Sequence, residues 1–129
     1  MEYKSGQIVK TIAYQIIDVP IMYHFGVIYV DEITNEVFVL HNSGDEESTI
    51  KEPFDDFILD RELVELQPSK LESLSNEELL IRFEKCKGEF DFLDYNCEHF
   101  IDCMMGDSRR SEQVALYVLT AITLYLIFK

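Results

Sequence analysis

Three apolar runs in the first half of the chain have the composition of β-strands. The first, Gln7 to Ile17, suits a strand or a strand and a loop, whereas Tyr23 to Val30 and Glu36 to Leu40 are rich in β-branched and aromatic residues. Asp18-Val19-Pro20 indicates a turn, and the short polar segment 31–35 is typical of a hairpin loop. The pattern therefore predicts neighbouring strands joined by tight turns.

The strand pattern stops at Asn42-Ser43-Gly44-Asp45, because these residue types favour turns. Further along, Asp60 to Leu66 predicts one more strand, on the spacing of Leu63 and Leu66 alone. Helical signals begin after this point. Strands followed by helices predict an α+β fold with a small antiparallel sheet packed against helices.

The first helix is marked at both ends. Ser75 with Glu78 three residues later forms a capping-box pattern, and Gly88 is a stop signal, so a helix is predicted over Asn76 to Lys87.

A second helix is predicted to begin near Asn96 and to end before Gly106. Its apolar residues recur with helical spacing and share one face with the cysteine of its first turn: Cys97, Phe100, Ile101 and Met104. Cys97 is therefore expected to point inward.

An uncharged run extends from Val114 to Phe128, just before the last residue, Lys129. At ~1.5 Å per residue such a helix is about 22 Å long, shorter than the roughly 30 Å hydrocarbon core of a bilayer. A buried core helix is one interpretation, but a domain of this size has little room to enclose a helix that is apolar on every side. We therefore expect a membrane anchor, with Arg109 and Arg110 before it placing the rest of the chain in the cytosol.

The length of 129 residues suits one domain, which we place at residues 1–110, with the hydrophobic helix at 111–129. A formal charge of −14 repels nucleic-acid phosphates, so no nucleic-acid partner is expected. Residues 31–65 carry much of the acidity, which is typical of a solvated surface and would also suit a basic partner.

The three cysteines form no CxxC pair, and no signal-peptide pattern comes before the first strand. A disulfide is therefore not expected, and a reducing compartment is. Cys86 and Cys103 are interpreted as small buried hydrophobic residues.

Cys97 is the candidate nucleophile because a helix N-terminus and a neighbouring imidazolium both lower the pKa of a thiol. His24 is the candidate base and acid, and His41 would fix the orientation of its ring, with Asn42 as the alternative. Backbone N–H groups at the start of the Cys97 helix would hold an oxyanion.

Structural roles compete with these assignments. Cys97 and His24 both suit a packed core, and His99 beside Glu98 is interpreted as a surface residue or a support of the site. Cys97, His99 and Cys103 lack the spacing of a zinc site, so neither a metal nor a cofactor is expected.

Asn96-Cys97-Glu98-His99-Phe100, the segment Tyr23 to Val30 and the later Leu40-His41 together resemble the motifs of lecithin:retinol acyltransferase and its small phospholipase/acyltransferase relatives. Ser5-Gly6-Gln7-Ile8-Val9 resembles the opening strand of that family, and the apolar C-terminal segment resembles its membrane anchor. The resemblance covers most of the chain. The two histidines are further apart than in the small relatives, which implies a longer hairpin.

The resemblance implies a circularly permuted papain-like (LRAT-like) fold. It also implies that Cys97 attacks an ester of a glycerophospholipid and holds the acyl chain as a thioester, which water or an amine then accepts. His24 would be the base and acid, and His41 the orienting residue. The partners would be a phospholipid substrate and, through residues 114–128, a membrane.

Two alternatives from other classes are retained. One is a non-catalytic, membrane-associated interaction module on the same fold, as in viral proteins that resemble this family, working through the acidic segment 31–65 and the hydrophobic tail. The other is a papain-like thiol peptidase or amidase, for which an open polar groove is expected in place of an apolar acyl pocket.

Overall fold

The computed structural model describes residues 2–16, 19–43, 48–59, 61–88, 96–106 and 112–128. The elements are β1 (Ile8–Ile16), β2 (Val19–Val30), β3 (Val37–Ser43), β4 (Ser48–Pro53), α1 (Phe54–Phe57), β5 (Glu62–Gln67), a 3₁₀ helix (Lys70–Ser73), α2 (Asn76–Lys85), α3 (Cys97–Met105) and α4 (Glu112–Phe128). The predicted α+β class with a small antiparallel sheet and helices is confirmed.

The described strands form one antiparallel sheet in the order β4-β3-β2-β1-β5. Consecutive strands from β1 to β4 are neighbours, and β5 returns to pair with β1. The β2–β3 ladder runs from Val27 opposite Leu40 to Val30 opposite Val37. The ladder ends at Val27, and His24 lies beyond that end, nearer to the start of β2.

The two faces of the sheet are covered by different helices. Side chains alternate between the faces of a strand, so Val27 packs towards α2 and α3, with Phe100 and Met104, whereas Ile28 packs towards α1, with Phe57. We call these the α3 face and the α1 face. Both hold a fully buried core.

Several boundaries differ from the prediction. Val19 and Pro20 begin β2 instead of forming a turn, and β3 continues through Asn42 and Ser43. Asp18, Gly44 and Asp45, which were also assigned to turns, lie outside the described residues. β4, α1 and the 3₁₀ helix were not predicted.

The two amphipathic helices are confirmed, with α2 ending two residues early because Cys86 caps it. α3 begins after Asn96 and ends at Gly106, whose φ of 84° lies in the left-handed region that glycine adopts readily. Phe100 and Met104 are buried as their spacing predicts.

The C-terminal apolar run is helical, and its side chains from Val118 to Phe128 are exposed. This rules out the alternative of a buried core helix for that part of the run. In the part of the chain that the structure describes, no helix combines the length and apolar character that crossing a membrane requires. A membrane-spanning form of the predicted anchor is therefore not found.

Cys86 and Cys103 form a disulfide, with their Cα atoms 5.8 Å apart. The prediction that the chain has no disulfide is therefore wrong, as is the assignment of these residues as free buried thiols. The bond joins the C-terminal cap of α2 to the last turns of α3. It fixes the helix that carries Cys97 against its neighbour.

Candidate active site

The two candidate histidines touch each other on the α1 face of the sheet. Nε2 of His24 lies 2.9 Å from Nδ1 of His41, and the rings meet edge to face. Strand register explains the contact. Because Val27 pairs with Leu40, the ladder brings His41 towards Gly26, and His24 is the next residue of β2 on the same face.

Gly26 leaves the space that this contact needs. A Cβ atom at position 26 would collide with Cγ1 of Val39 and would lie 3.3 Å from Cβ of His41. The missing side chain therefore lets β3 approach β2 closely where His41 reaches across to His24.

Phe57 of α1 packs against both imidazole rings. Its ring centroid is 5.7 Å from that of His24 and 4.8 Å from that of His41, and the side chain is fully buried. This apolar cover removes water from the pair. Burial, with a smaller effect of the Arg61 guanidinium, lowers the pKa of His24 to about 3.

The pKa of His41 is lowered in the same way, to about 2, by burial first and then by His24 and Arg61. Both rings are therefore neutral at pH 7, and each carries one proton on one of its two nitrogens.

Glu52 and Arg61 continue the polar contacts beyond His41. Oε1 of Glu52 lies 3.3 Å from Nε2 of His41, and Nη1 of Arg61 lies 3.9 Å from the same carboxylate oxygen. Arg61 is itself held by a hydrogen bond to the Phe57 carbonyl and by stacking over the Phe57 ring.

Cys97 is the first residue of α3, and its position is set by the cap of that helix. The side-chain oxygen of Asn96 accepts hydrogen bonds from the backbone N–H groups of Glu98 and His99. In return, Nδ1 of His99 accepts one from the N–H of Asn96 at 2.9 Å. His99 thus takes the place that glutamate has in an ordinary capping box.

Of the two roles predicted for His99, a surface residue is ruled out, since His99 is buried and supports the start of the helix that carries Cys97.

The sulfur of Cys97 lies at the edge of β2, next to backbone groups of the two residues that flank His24. The thiol donates to the Tyr23 carbonyl at 3.8 Å, and the Phe25 N–H donates to the sulfur. The His24 carbonyl faces β1, where it accepts a bond from Thr11. Backbone groups of successive residues point to opposite sides of a strand. The groups of Tyr23 and Phe25 therefore face the β3 side of β2, at a point where the β2–β3 ladder has ended.

The sulfur thus takes the position of a missing strand partner next to His24. Among the described residues, no hydrogen bond joins this sulfur to either imidazole ring. The structure therefore joins the two histidines directly and brings Cys97 to the backbone of one of them.

Burial raises the pKa of the Cys97 thiol to about 11, and the Glu98 carboxylate contributes in the same direction. Backbone N–H groups of Phe25, Glu98 and Cys97 itself oppose the rise but do not overcome it. The expected lowering of this pKa is thus wrong for the free protein. At pH 7 the site holds a neutral thiol beside two neutral imidazoles.

Asn42, the alternative orienting residue, is buried on β3 next to His41, but alternation along the strand places it on the α3 face. It is therefore His41 that contacts His24. Cys97 is the only free cysteine among the three, all of which lie in described parts of the chain.

Among the described residues, no metal cluster is found, and a described cavity lies away from the three candidate residues. Within the described ranges, no group of three or more His, Cys, Asp or Glu side chains is placed to hold a metal ion. A cavity of about 400 Å³ lies against Tyr3, Phe54 and Ile58, and none of the three candidate residues lines it.

Sequence reasoning did not find Glu52, Arg61, Phe57 or Gly26. Glu52 and Arg61 belong to segment 31–65, whose charges were interpreted as a solvated surface. The usable signal was weak: Glu52 lies in a strand with few apolar residues, so its face could not be assigned.

Comparison of the chain with models of known protein families, with curated proteins and with solved structures finds no match. The site is therefore interpreted from its own geometry and from the resemblance of its motifs.

Proposed function

We propose that this chain is a thiol-dependent acyltransferase or hydrolase that acts on glycerophospholipids, with Cys97 as nucleophile, His24 as base and acid, and His41 as the residue that orients His24. The observation that carries the proposal is the 2.9 Å contact between His24 and His41, together with the free thiol of Cys97 at the backbone next to His24. A base held by a second polar group next to a thiol is the arrangement that nucleophilic catalysis requires.

The first half-reaction moves one proton and exchanges one bond. His24 takes the thiol proton while the sulfur attacks the ester carbonyl carbon and forms a C–S bond. The tetrahedral intermediate then expels the alcohol of the lysophospholipid, which receives that proton from His24. The acyl group remains as a thioester on Cys97.

The second half-reaction restores the free thiol. Water or an amine gives a proton to His24 and attacks the thioester carbonyl, and the C–S bond breaks. The leaving thiolate then recovers the proton. Hydrolysis releases a fatty acid, whereas an amine acceptor yields an amide.

Because the resting thiol and imidazoles are all neutral, we infer that proton transfer accompanies attack instead of preceding it. A stored thiolate–imidazolium pair is disfavoured by burial, which raises the pKa of the Cys97 thiol and lowers that of His24. The Glu98 and His99 N–H groups donate to the Asn96 side chain. It is therefore the Cys97 N–H that would stabilise the negative charge that develops on the carbonyl oxygen.

The lipid substrate and the papain-like assignment follow from the resemblance of the motifs, and exposed α4 supports the lipid substrate alone. Its apolar side chains would insert into the acyl region of a bilayer and bring the domain to its substrate.

Mass spectrometry of the intact protein tests the proposal. After incubation with vesicles of phosphatidylcholine or phosphatidylethanolamine, we expect a mass increase of one fatty acyl group on wild type and none on Cys97→Ala. Neutral hydroxylamine should remove the adduct, because it cleaves thioesters much faster than oxygen esters. Wild-type protein that forms no adduct and releases no fatty acid would contradict the proposal.

One observation favours a second candidate, a non-catalytic interaction module. Cys97 is 6% exposed and its thiol donates to a backbone carbonyl, which is how a structural cysteine behaves. This candidate predicts that Cys97→Ala binds membranes as well as wild type and that neither protein releases fatty acid.

A further inference from the structure

We propose that Glu52 is a positioning residue, which fixes the proton positions of His41 and His24 so that Nδ1 of His24 is left free to accept a proton. The inference deepens the proposed function and rests on it for its catalytic meaning. Its structural part, the tautomer of each ring, can be measured without any substrate.

The register of β3 and β4 brings Glu52 to His41. Ile50 pairs directly with His41, and Glu52, two residues later, is the diagonal neighbour on the same face of the sheet. Its Oε1 atom is shielded from solvent and lies 3.3 Å from Nε2 of His41. This nitrogen is also buried, and it makes no hydrogen bond to any described group, so its contact with Glu52 is electrostatic.

A carboxylate can only accept hydrogen bonds, and this determines where the proton of His41 sits. With the proton on Nε2, the partially positive hydrogen of the ring lies on the side of the carboxylate, whose Oε1 is 3.3 Å from that nitrogen. With the proton on Nδ1, the lone pair of Nε2 would face the carboxylate oxygen in a buried site, which is repulsive. The Nε2–H tautomer of His41 is therefore the stable one.

The same reasoning fixes His24. A neutral imidazole carries one N–H proton. With that proton on Nε2 of His41, its Nδ1 carries a lone pair and must accept a hydrogen bond across the 2.9 Å contact. The donor is Nε2–H of His24. Nδ1 of His24 then carries the remaining lone pair. It is the only nitrogen of the two rings that can accept a proton from the thiol.

Arg61 supports this order of protons from the other side. Its guanidinium lies 3.9 Å from Oε1 of Glu52 and is fixed over the Phe57 ring, so a positive charge holds the carboxylate near His41. The chain of contacts therefore runs from Arg61 through Glu52 and His41 to His24.

Nitrogen-15 NMR of histidine-labelled protein tests the inference, with His24→Gln and His41→Gln used to assign the signals. We expect the Nε2–H tautomer for both rings in wild type. Glu52→Gln should populate the Nδ1–H tautomer of His41, because an amide can donate as well as accept. Glu52→Asp keeps an acceptor and should keep the wild-type tautomers.

The matched control is Glu62→Gln, which makes the same charge change at an exposed position of β5, on the opposite edge of the sheet. It should leave both tautomers unchanged. A wild-type spectrum with His41 protonated at Nδ1, or a Glu52→Gln spectrum identical to wild type, would overturn the inference.

Alkylation of Cys97 by iodoacetamide at pH 7 gives a second readout, because the other two cysteines are joined in a disulfide. We expect Glu52→Gln to slow alkylation by about 10-fold or more, as for loss of a correctly protonated base, and Glu62→Gln to react like wild type.

The two proposals fail separately. If wild type shows the expected tautomers and alkylation but no acyl adduct, the lipid function fails and the role of Glu52 stands. If wild type acylates and Glu52→Gln changes neither tautomer nor alkylation rate, the role of Glu52 fails and the function stands. A dispersed amide spectrum for each variant separates these outcomes from unfolding.

Discussion

At the scale of single residues, the contact between His24 and His41 depends on the absence of a side chain at position 26. Val39 and His41 occupy the space that a Cβ atom there would need. Phe57 then covers both rings, and the resulting burial keeps them neutral. The geometry of the pair thus depends on Gly26, Val39 and Phe57, whereas burial is the largest cause of its neutral state and Arg61 also contributes.

Gly26→Ala should therefore separate the two rings. Overpacking of this kind costs about 1–3 kcal/mol of unfolding free energy. We also expect alkylation of Cys97 at pH 7 to slow by about 10-fold, because His24 loses the group that orients it. Urea denaturation and iodoacetamide kinetics measure the two effects.

The double variant Gly26→Ala/Val39→Ala is the control, because it removes the Cγ1 atom with which the new methyl group collides. It should regain much of the alkylation rate even though its core is less stable. Equal impairment of the single and double variants would show that crowding against Val39 is not the cause.

At the scale of elements, α3 has to place one sulfur against the edge of β2. Its N-terminal cap and the disulfide at its other end both restrict the helix. Asn96 is buried, whereas Ser75, the cap of α2, is exposed. The two caps therefore stabilise their helices in similar ways, but only one of them positions the candidate nucleophile.

Asn96→Ala and Ser75→Ala form a matched pair that separates these roles. Each should lower the unfolding free energy by about 1 kcal/mol, the usual cost of losing a cap, with Asn96→Ala at the high end because its donors are buried. Only Asn96→Ala should slow alkylation of Cys97. Equal alkylation rates in the two variants would mean that the cap does not position the sulfur.

Elements with strong local signals could be predicted from the sequence. The cap of α2 is marked by Ser75 and Glu78, three residues apart, and the two histidine strands are apolar enough to be recognised. β4 could not be found, because Ser48–Pro53 contains only one aliphatic residue, and α1 is a single turn. The position of Glu52 beside His41 depends on the register of that missed strand.

The site could be predicted only as a set of residues. Cys97, His24 and His41 were identified from the sequence, but the direction of the thiol pKa was not, because it depends on burial that only packing reveals. The Cys86–Cys103 bond likewise depends on how α2 and α3 meet. Three cysteines without a spacing motif give no signal for it.

At the scale of the whole molecule, charge and apolar surface are separated along the chain. The formal charge is −14, while the described side chains of α4 from Val118 onward are exposed and carry no charge. Such a protein should be repelled by anionic lipid surfaces and attracted to neutral ones through apolar contact. This separation determines which vesicles can test the membrane proposal.

We therefore expect the chain to float with phosphatidylcholine vesicles in a density gradient, and to do so equally at low and high salt, because apolar insertion is not screened. Ile122→Lys/Leu126→Lys should abolish flotation by placing two charges in α4. Ile33→Lys/Leu59→Lys adds the same charges at exposed apolar residues outside that helix, and it should float like wild type. If the α4 variant still floats, or if the control loses binding to the same extent, then α4 is not the element that binds the membrane.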